Sequence, residues 1–166
     1  TMGSPLQAVE SPEEDASSFV LVEQQDLLSE GLFTISPKRD SSKHLDVVDA
    51  SVDDGANVQI WHDNGSLAQK WYVKRASGKV NTYTLQAACS GKQLAADSNG
   101  NAVQRAADGS SEQLWRADFS GGFVVFTNLG TGRVLDLADG RTDAGNNVQT
   151  YVANGTDAQR FSLRET

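Results

Sequence analysis

Apolar residues along this chain gather in short runs, and the runs recur. Leu32-Phe33-Thr34-Ile35, Asn81-Thr82-Tyr83-Thr84-Leu85 and Phe123-Val124-Val125-Phe126 each read as a short strand. Gly, Asn and Asp cluster between such runs. Asn64-Gly65, Asn99-Gly100 and Asn154-Gly155 are dipeptides that suit hairpin turns. No segment of the body sustains a helical period. Upstream, Phe19-Val20-Leu21-Val22 is apolar enough to dock as an edge strand. Glu23 to Glu30 predicts a short helix, ended by Gly31 as a C-terminal cap.

The runs belong to a repeat. Gln69-Lys70-Trp71, Gln113-Leu114-Trp115 and Gln159-Arg160-Phe161 lie 44 and 46 residues apart. Leu45-Asp46, Leu94-Ala95 and Leu135-Asp136 precede them. Residues 45–71 align with 135–161 without a gap, and 12 of 27 positions are identical, among them Asp46/Asp136, Asn57/Asn147, Gln59/Gln149, Asn64/Asn154 and Gln69/Gln159. The middle copy is shorter: Asp46 to Gln69 spans 23 positions and Ala95 to Gln113 only 18. Short strands, turn signals and three copies predict an all-β fold with pseudo-threefold symmetry. Three copies are too few for propeller blades, which close from ~4 upward.

Charge divides the chain in two. The net charge of its 166 residues is −8, yet residues 1–30 hold seven acids and no Lys or Arg. The remaining 15 acids and 14 bases nearly cancel. Residues 1–30 therefore read as an acidic leader or linker, with Thr1-Met2-Gly3-Ser4 as a cloning remnant. Residues 31–166 read as one domain, with repeats at about 31–76, 77–119 and 120–166. The acidity argues against nucleic acid as a partner, and no apolar run approaches the ~20 residues of a membrane span. Cys89 stands alone, so no intramolecular disulfide is possible. With two histidines, no zinc spacing and no phosphate loop, neither an enzyme nor a cofactor or metal is expected.

Three Gln-x-Trp (or Phe) repeats of this length, with Leu-Asp, Val-Gln-x-aromatic and Asn-Gly at matching spacings, resemble the ricin B-chain-type lectin domain, and among bacterial relatives the family 13 carbohydrate-binding modules. The resemblance covers roughly residues 31–166. It implies a β-trefoil of six two-stranded hairpins, three forming a barrel and three capping it, with Trp71, Trp115 and Phe161 as core anchors. It also implies sugar sites. A carboxylate accepts bonds from two vicinal hydroxyls, an amide gives and accepts, and an aromatic ring stacks on the apolar face of the sugar. The first repeat supplies Asp46, Gln59, Trp61, Asn64 and Gln69. The third supplies Asp136, Gln149, Tyr151, Asn154 and Gln159. These are the expected α and γ sites.

In the middle copy, Ala95 replaces the carboxylate and Ala106 the ring while Gln104 remains, so the β site is expected to be dead. Plant members place Asn just before the Gln of Gln-x-Trp; here Ala68, Glu112 and Ala158 stand there. The resemblance implies a lectin that binds terminal sugars such as galactose. Its partners would be glycans and other domains of a larger secreted or cell-surface protein. The alternative is a protein-interaction or spacer module, in which Asp46 and Asp136 only organise turns and Gln69 and Gln159 only tie down backbone. Asn57, Asn147, Asp53 and Asp143 read as turn residues, His62 as a solvated surface residue and Cys89 as a half-buried inert thiol.

Overall fold

Each strand expected from Leu32 onward finds a partner on both sides. The computed structural model describes residues 28–166; the expected Phe19–Val22 edge strand lies outside them, as does most of the expected Glu23–Glu30 helix. Leu28, Ser29 and Glu30 are not helical, and Gly31 opens a strand instead of capping a helix. The chain then continues as β1 (Gly31–Pro37), β2 (Lys43–Val47), β3 (Val58–His62), β4 (Trp71–Arg75), β5 (Thr82–Ala87), β6 (Gln93–Ala96), β7 (Ala102–Arg105), β8 (Trp115–Ser120), β9 (Phe123–Asn128), β10 (Val134–Leu137), β11 (Val148–Tyr151) and β12 (Phe161–Glu165).

Six strands close on themselves. β12 pairs with β1, β1 with β4, β4 with β5, β5 with β8, β8 with β9, and β9 with β12, all antiparallel. This ring leaves no free edge for adventitious pairing. Alternation fills it: Trp71 and Val73 are buried while Tyr72 between them is exposed, and Val124 and Phe126 are buried on β9. Three hairpins, β2–β3, β6–β7 and β10–β11, cap one end. Leu45, Ile60, Leu94, Leu135 and Val148 of these caps join the barrel residues in one core. The molecule is the expected all-β trefoil.

The recurring tripeptides join the cap to the barrel. Trp71 Nε1 donates to the Leu45 carbonyl at 3.2 Å, and Trp115 Nε1 to Leu94 at 3.0 Å. Both rings are fully buried, as is Phe161, which has no N–H to make the third bond. The glutamines do a parallel task. Gln69, Gln113 and Gln159 donate to the carbonyls of His62, Ala106 and Val152 at 2.7, 2.9 and 3.0 Å. Each Oε1 accepts a backbone N–H in return, from Asn64, Asp108 and Asn154.

Two groups of turn assignments change. Asn99-Gly100 does lie in the β6–β7 hairpin connection, where the Gly100 N–H donates to the Asp97 carbonyl. Asn64-Gly65 and Asn154-Gly155 instead sit in loops after β3 and β11, where each Asn Oδ1 accepts the N–H two residues on. Asn57 and Asn147 are not turn residues either. With Asn101 they form a closed ring, each amide donating to the next: Asn57 to Asn147 at 2.9 Å, Asn147 to Asn101 at 2.7 Å and Asn101 to Asn57 at 2.7 Å. A side chain with one donor and one acceptor end suits a cyclic threefold junction. Asp53 and Asp143 are turn residues as expected, their carbonyls accepting from Ala56 and Asn146.

Candidate functional site

The cap hairpins place the site residues by strand alternation. On β2 and β3, Asp46 stands opposite Gln59 and His44 opposite Trp61. On β10 and β11, Asp136 stands opposite Gln149 and Val134 opposite Tyr151. Leu45 and Leu135 pack into the core, so Asp46 and Asp136 take the opposite face of their hairpins, where they too are nearly closed to solvent.

Each carboxylate is gripped by two amides. Asp46 accepts Gln59 Nε2 at 3.1 Å on Oδ1 and Gln69 Nε2 at 2.9 Å on Oδ2. Asp136 accepts Gln149 at 3.1 Å and Gln159 at 2.8 Å in the same way. Both aspartates are 5% exposed, and Gln69 and Gln159 are buried behind them. Bonds from two sides fix the plane of the carboxylate, while each oxygen keeps a further acceptor direction. Beside them the rings are open: Trp61 is 39% exposed and Tyr151 50%. A large aromatic left open beside a fixed acceptor is suited to receive a flat apolar face.

In the third repeat, Asp136, Gln149, Tyr151 and Asn154 line one cavity of about 410 Å³. Three further polar residues, outside the expected set, line it. Arg39 comes from the β1–β2 turn of the first repeat and lines the cavity of the third; nothing local in the sequence signals this. Thr156 lines it beside Asn154 and donates its hydroxyl to Asn154 Oδ1 at 2.7 Å. Asp139 also lines it, in the left-handed region at φ 56, as its counterpart Asp49 is at φ 58. Their identity across the two repeats was the available signal.

The first site borrows from a neighbouring repeat too. Gly145, at φ +90, brings bare backbone against Trp61: a Cβ there would lie 3.5 Å from Trp61 Cζ3. Its N–H donates to the Ile60 carbonyl at 2.7 Å. The Cys89 thiol is half-buried and points at the Ser51 carbonyl, 3.7 Å away. Burial pushes its pKa up, as expected for an inert thiol. His62 is exposed, its ring T-shaped to that of Trp61 with centroids 5.9 Å apart.

The middle repeat departs further than the sequence alignment suggests. Leu94 pairs with Gln104 where Leu45 pairs with Ile60. The position of the ring is therefore held by Arg105, not Ala106, and that of the amide by Val103, not Gln104. A loop shortened before β7 hides this register from a sequence comparison anchored on Gln104. Gln104 is fully buried instead, donating to the carbonyls of Ser51 and Asp53, both at 2.9 Å, and accepting from Ser90. Glu112, at the position of Ala68 and Ala158, packs on Gly130, where a Cβ would lie 2.7 Å from its Cδ. Acceptor, amide and ring are all missing from this face.

Among the described residues no group of His, Cys, Asp and Glu is arranged to hold a metal ion, and no helix is long and apolar enough to cross a membrane.

A family model described as ricin-type beta-trefoil lectin domain-like matches residues 18–108 and 111–166. No curated protein sequence matches significantly. The designed threefold-symmetric protein ThreeFoil is 29% identical, covering 82% of this chain and 99% of its own, with a TM-score of 0.76. The exo-β-1,3-galactanase 1,3Gal43A from Clostridium thermocellum is 25% identical, with a TM-score of 0.75; the match covers 84% of this chain and 31% of the enzyme. The Rhizoctonia solani agglutinin is 24% identical, covering 84% and 97%, with a TM-score of 0.75.

Proposed function

We propose, from the premise that this chain belongs to the ricin-type β-trefoil lectin-like family, that its carbohydrate-binding role rests on two surface sites, one in the first repeat and one in the third. The observation that carries this reading is the repeated unit of a carboxylate clamped by two glutamine amides beside an exposed ring. In each site the Asp accepts vicinal hydroxyls, Gln59 or Gln149 supplies an amide, and Trp61 or Tyr151 stacks on the sugar. Asn64 and Asn154 flank the sites. Gln69 and Gln159 act from behind, holding the acceptor in place. The exposure of both rings weighs against a spacer module whose motif is only scaffold.

Terminal galactose is the sugar we assign, and the galactanase neighbour, of which the matched region is about a third, suits a module carried beside other domains. The setting would then be extracellular or at a cell surface. Residues 1–30 would serve as an acidic linker and 31–166 as the binding domain. Open polar sites of this size bind weakly, on the order of millimolar to tens of micromolar. Two on one rigid body gain strength on multivalent glycans through effective concentration.

The test is an NMR titration of the labelled chain with galactose, lactose and xylose, beside an Asp46→Ala, Asp136→Ala double variant. Saturable shifts around Trp61 and Tyr151, lost in the variant, are the expected result. A flat response at tens of millimolar of every sugar would overturn the simple-sugar reading.

A further inference from the structure

The first repeat also lines a polar hollow to which Asp46 itself does not contribute. A cavity of about 420 Å³ opens between β1, the loop after β3 and the end of β12. That volume lies within the ~300–1,000 Å³ usual for small-molecule sites. Its lining includes His44, Asp63, Ser66, Lys70, Arg164 and Glu165. Gln69, whose amide clamps Asp46, also contributes to the wall.

Three features mark it as built rather than incidental. His44 is 9% exposed and held on both sides, its Nδ1 2.7 Å from the Ser36 hydroxyl and its Nε2 3.5 Å from Asp63. In the third repeat Val134 and Ala153 occupy the positions of His44 and Asp63, so repetition of the scaffold does not require this arrangement. The Ser66 hydroxyl oxygen is buried with no hydrogen-bond partner, a state that costs free energy unless a bound group completes it. Finally, neither Lys70 nor Arg164 takes part in an ion pair among the described residues.

These groups select a ligand chemistry. Two cations without acidic partners call for an anion. Asp63, Glu165 and Ser66 call for hydroxyls. A neutral sugar would leave the cations unanswered, and a bare carboxylate would leave the acceptors unanswered. A sugar that carries its own carboxylate answers both. We propose that this cavity is a binding site for a uronic acid residue, its carboxylate paired with Lys70 and Arg164 and its hydroxyls bonded to Asp63, Glu165 and Ser66. Neither Trp61 nor Tyr151 lines this cavity, and the proposal does not depend on the reading of those rings.

The full labelled chain, titrated with glucuronate, glucose and acetate in parallel, tests this. Glucuronate alone should give saturable shifts at Asp63, Ser66 and Lys70, weakening as salt rises. A Lys70→Gln, Arg164→Gln double variant should lose at least tenfold in glucuronate affinity while keeping its galactose shifts near Trp61. A Trp61→Ala, Tyr151→Ala double variant should keep glucuronate binding, so either reading can fail without the other. Equal responses to glucose or acetate, no saturable response to glucuronate, or an unchanged affinity in the Lys70/Arg164 variant would overturn the proposal.

Discussion

The first and middle repeats share a backbone plan but not a surface. In both, a buried Trp donates to the carbonyl of a cap leucine, and a buried Gln ties the loop in front of it. Outside that frame the first repeat places Asp46, Gln59 and Trp61, and the middle repeat places Ala95, Val103 and Arg105. The trefoil is thus held by Gln and Trp without help from the carboxylate. In the first repeat Gln69 serves both frame and site, because its Nε2 donates to the His62 carbonyl and to Asp46. In the middle repeat the same amide keeps only the structural bond. The frame therefore stands where carboxylate, amide and ring are all absent.

That separation can be broken or sharpened. The largest effect is expected from Trp115→Ala, in the repeat that lacks a site. It removes a fully buried indole and the Leu94 bond, and should cost about 3–5 kcal/mol, read as a shift in the denaturant midpoint. A small change there would mean the frame does not rest on the tripeptides. Next, Ala95→Asp, Val103→Gln, Arg105→Tyr and Glu112→Ala together should restore a third site on the existing frame. Galactose titration should then show saturable shifts near residue 105 at affinity within about tenfold of the third repeat, a difference of ~1.4 kcal/mol. No gain would mean that the neighbouring loops, not these four side chains, decide the site.

The smallest effect concerns the turn that carries Arg39 toward the cavity of the third repeat. The Lys43 ammonium bonded to Asp40 at 2.8 Å, with the Ser42 hydroxyl and N–H, lowers the Asp40 pKa to about 2. The fold thus favours the ionised form. Its contribution to stability is complete above about pH 4 and is lost as the pH falls through about 2. Asp40→Asn should flatten that part of the acid limb in pH-dependent unfolding while leaving stability at pH 2 near that of the parent. An unchanged acid limb would show that the pairing contributes nothing.

Much of the architecture could be read from the residues. The constant offset of 90 between Asp46 and Asp136, and between Gln69 and Gln159, announced two equivalent units, and the third Gln-x-Trp completed the threefold plan. These are local patterns: a strand alternates, a buried aromatic recurs, and a repeat must stack on its own copies. The open rings of Trp61 and Tyr151 followed from their strand positions beside polar neighbours. The register of the middle hairpin did not follow, because one shortened loop shifts every facing pair and leaves Gln104 as a misleading landmark.

The three units, their strands, their buried anchors and the paired clamp residues of the first and third repeats were all legible along the chain. The tertiary structure alone decided what those side chains meet. Asn57, Asn101 and Asn147, spaced along the chain, close one hydrogen-bonded ring; Gly145 of the third repeat meets Trp61 of the first; Arg39 of the first repeat lines the cavity of the third. Periodicity records which face of a strand is buried, because burial acts on each residue in turn. It does not record which distant segment supplies the other wall, because that depends on how three copies close around an axis.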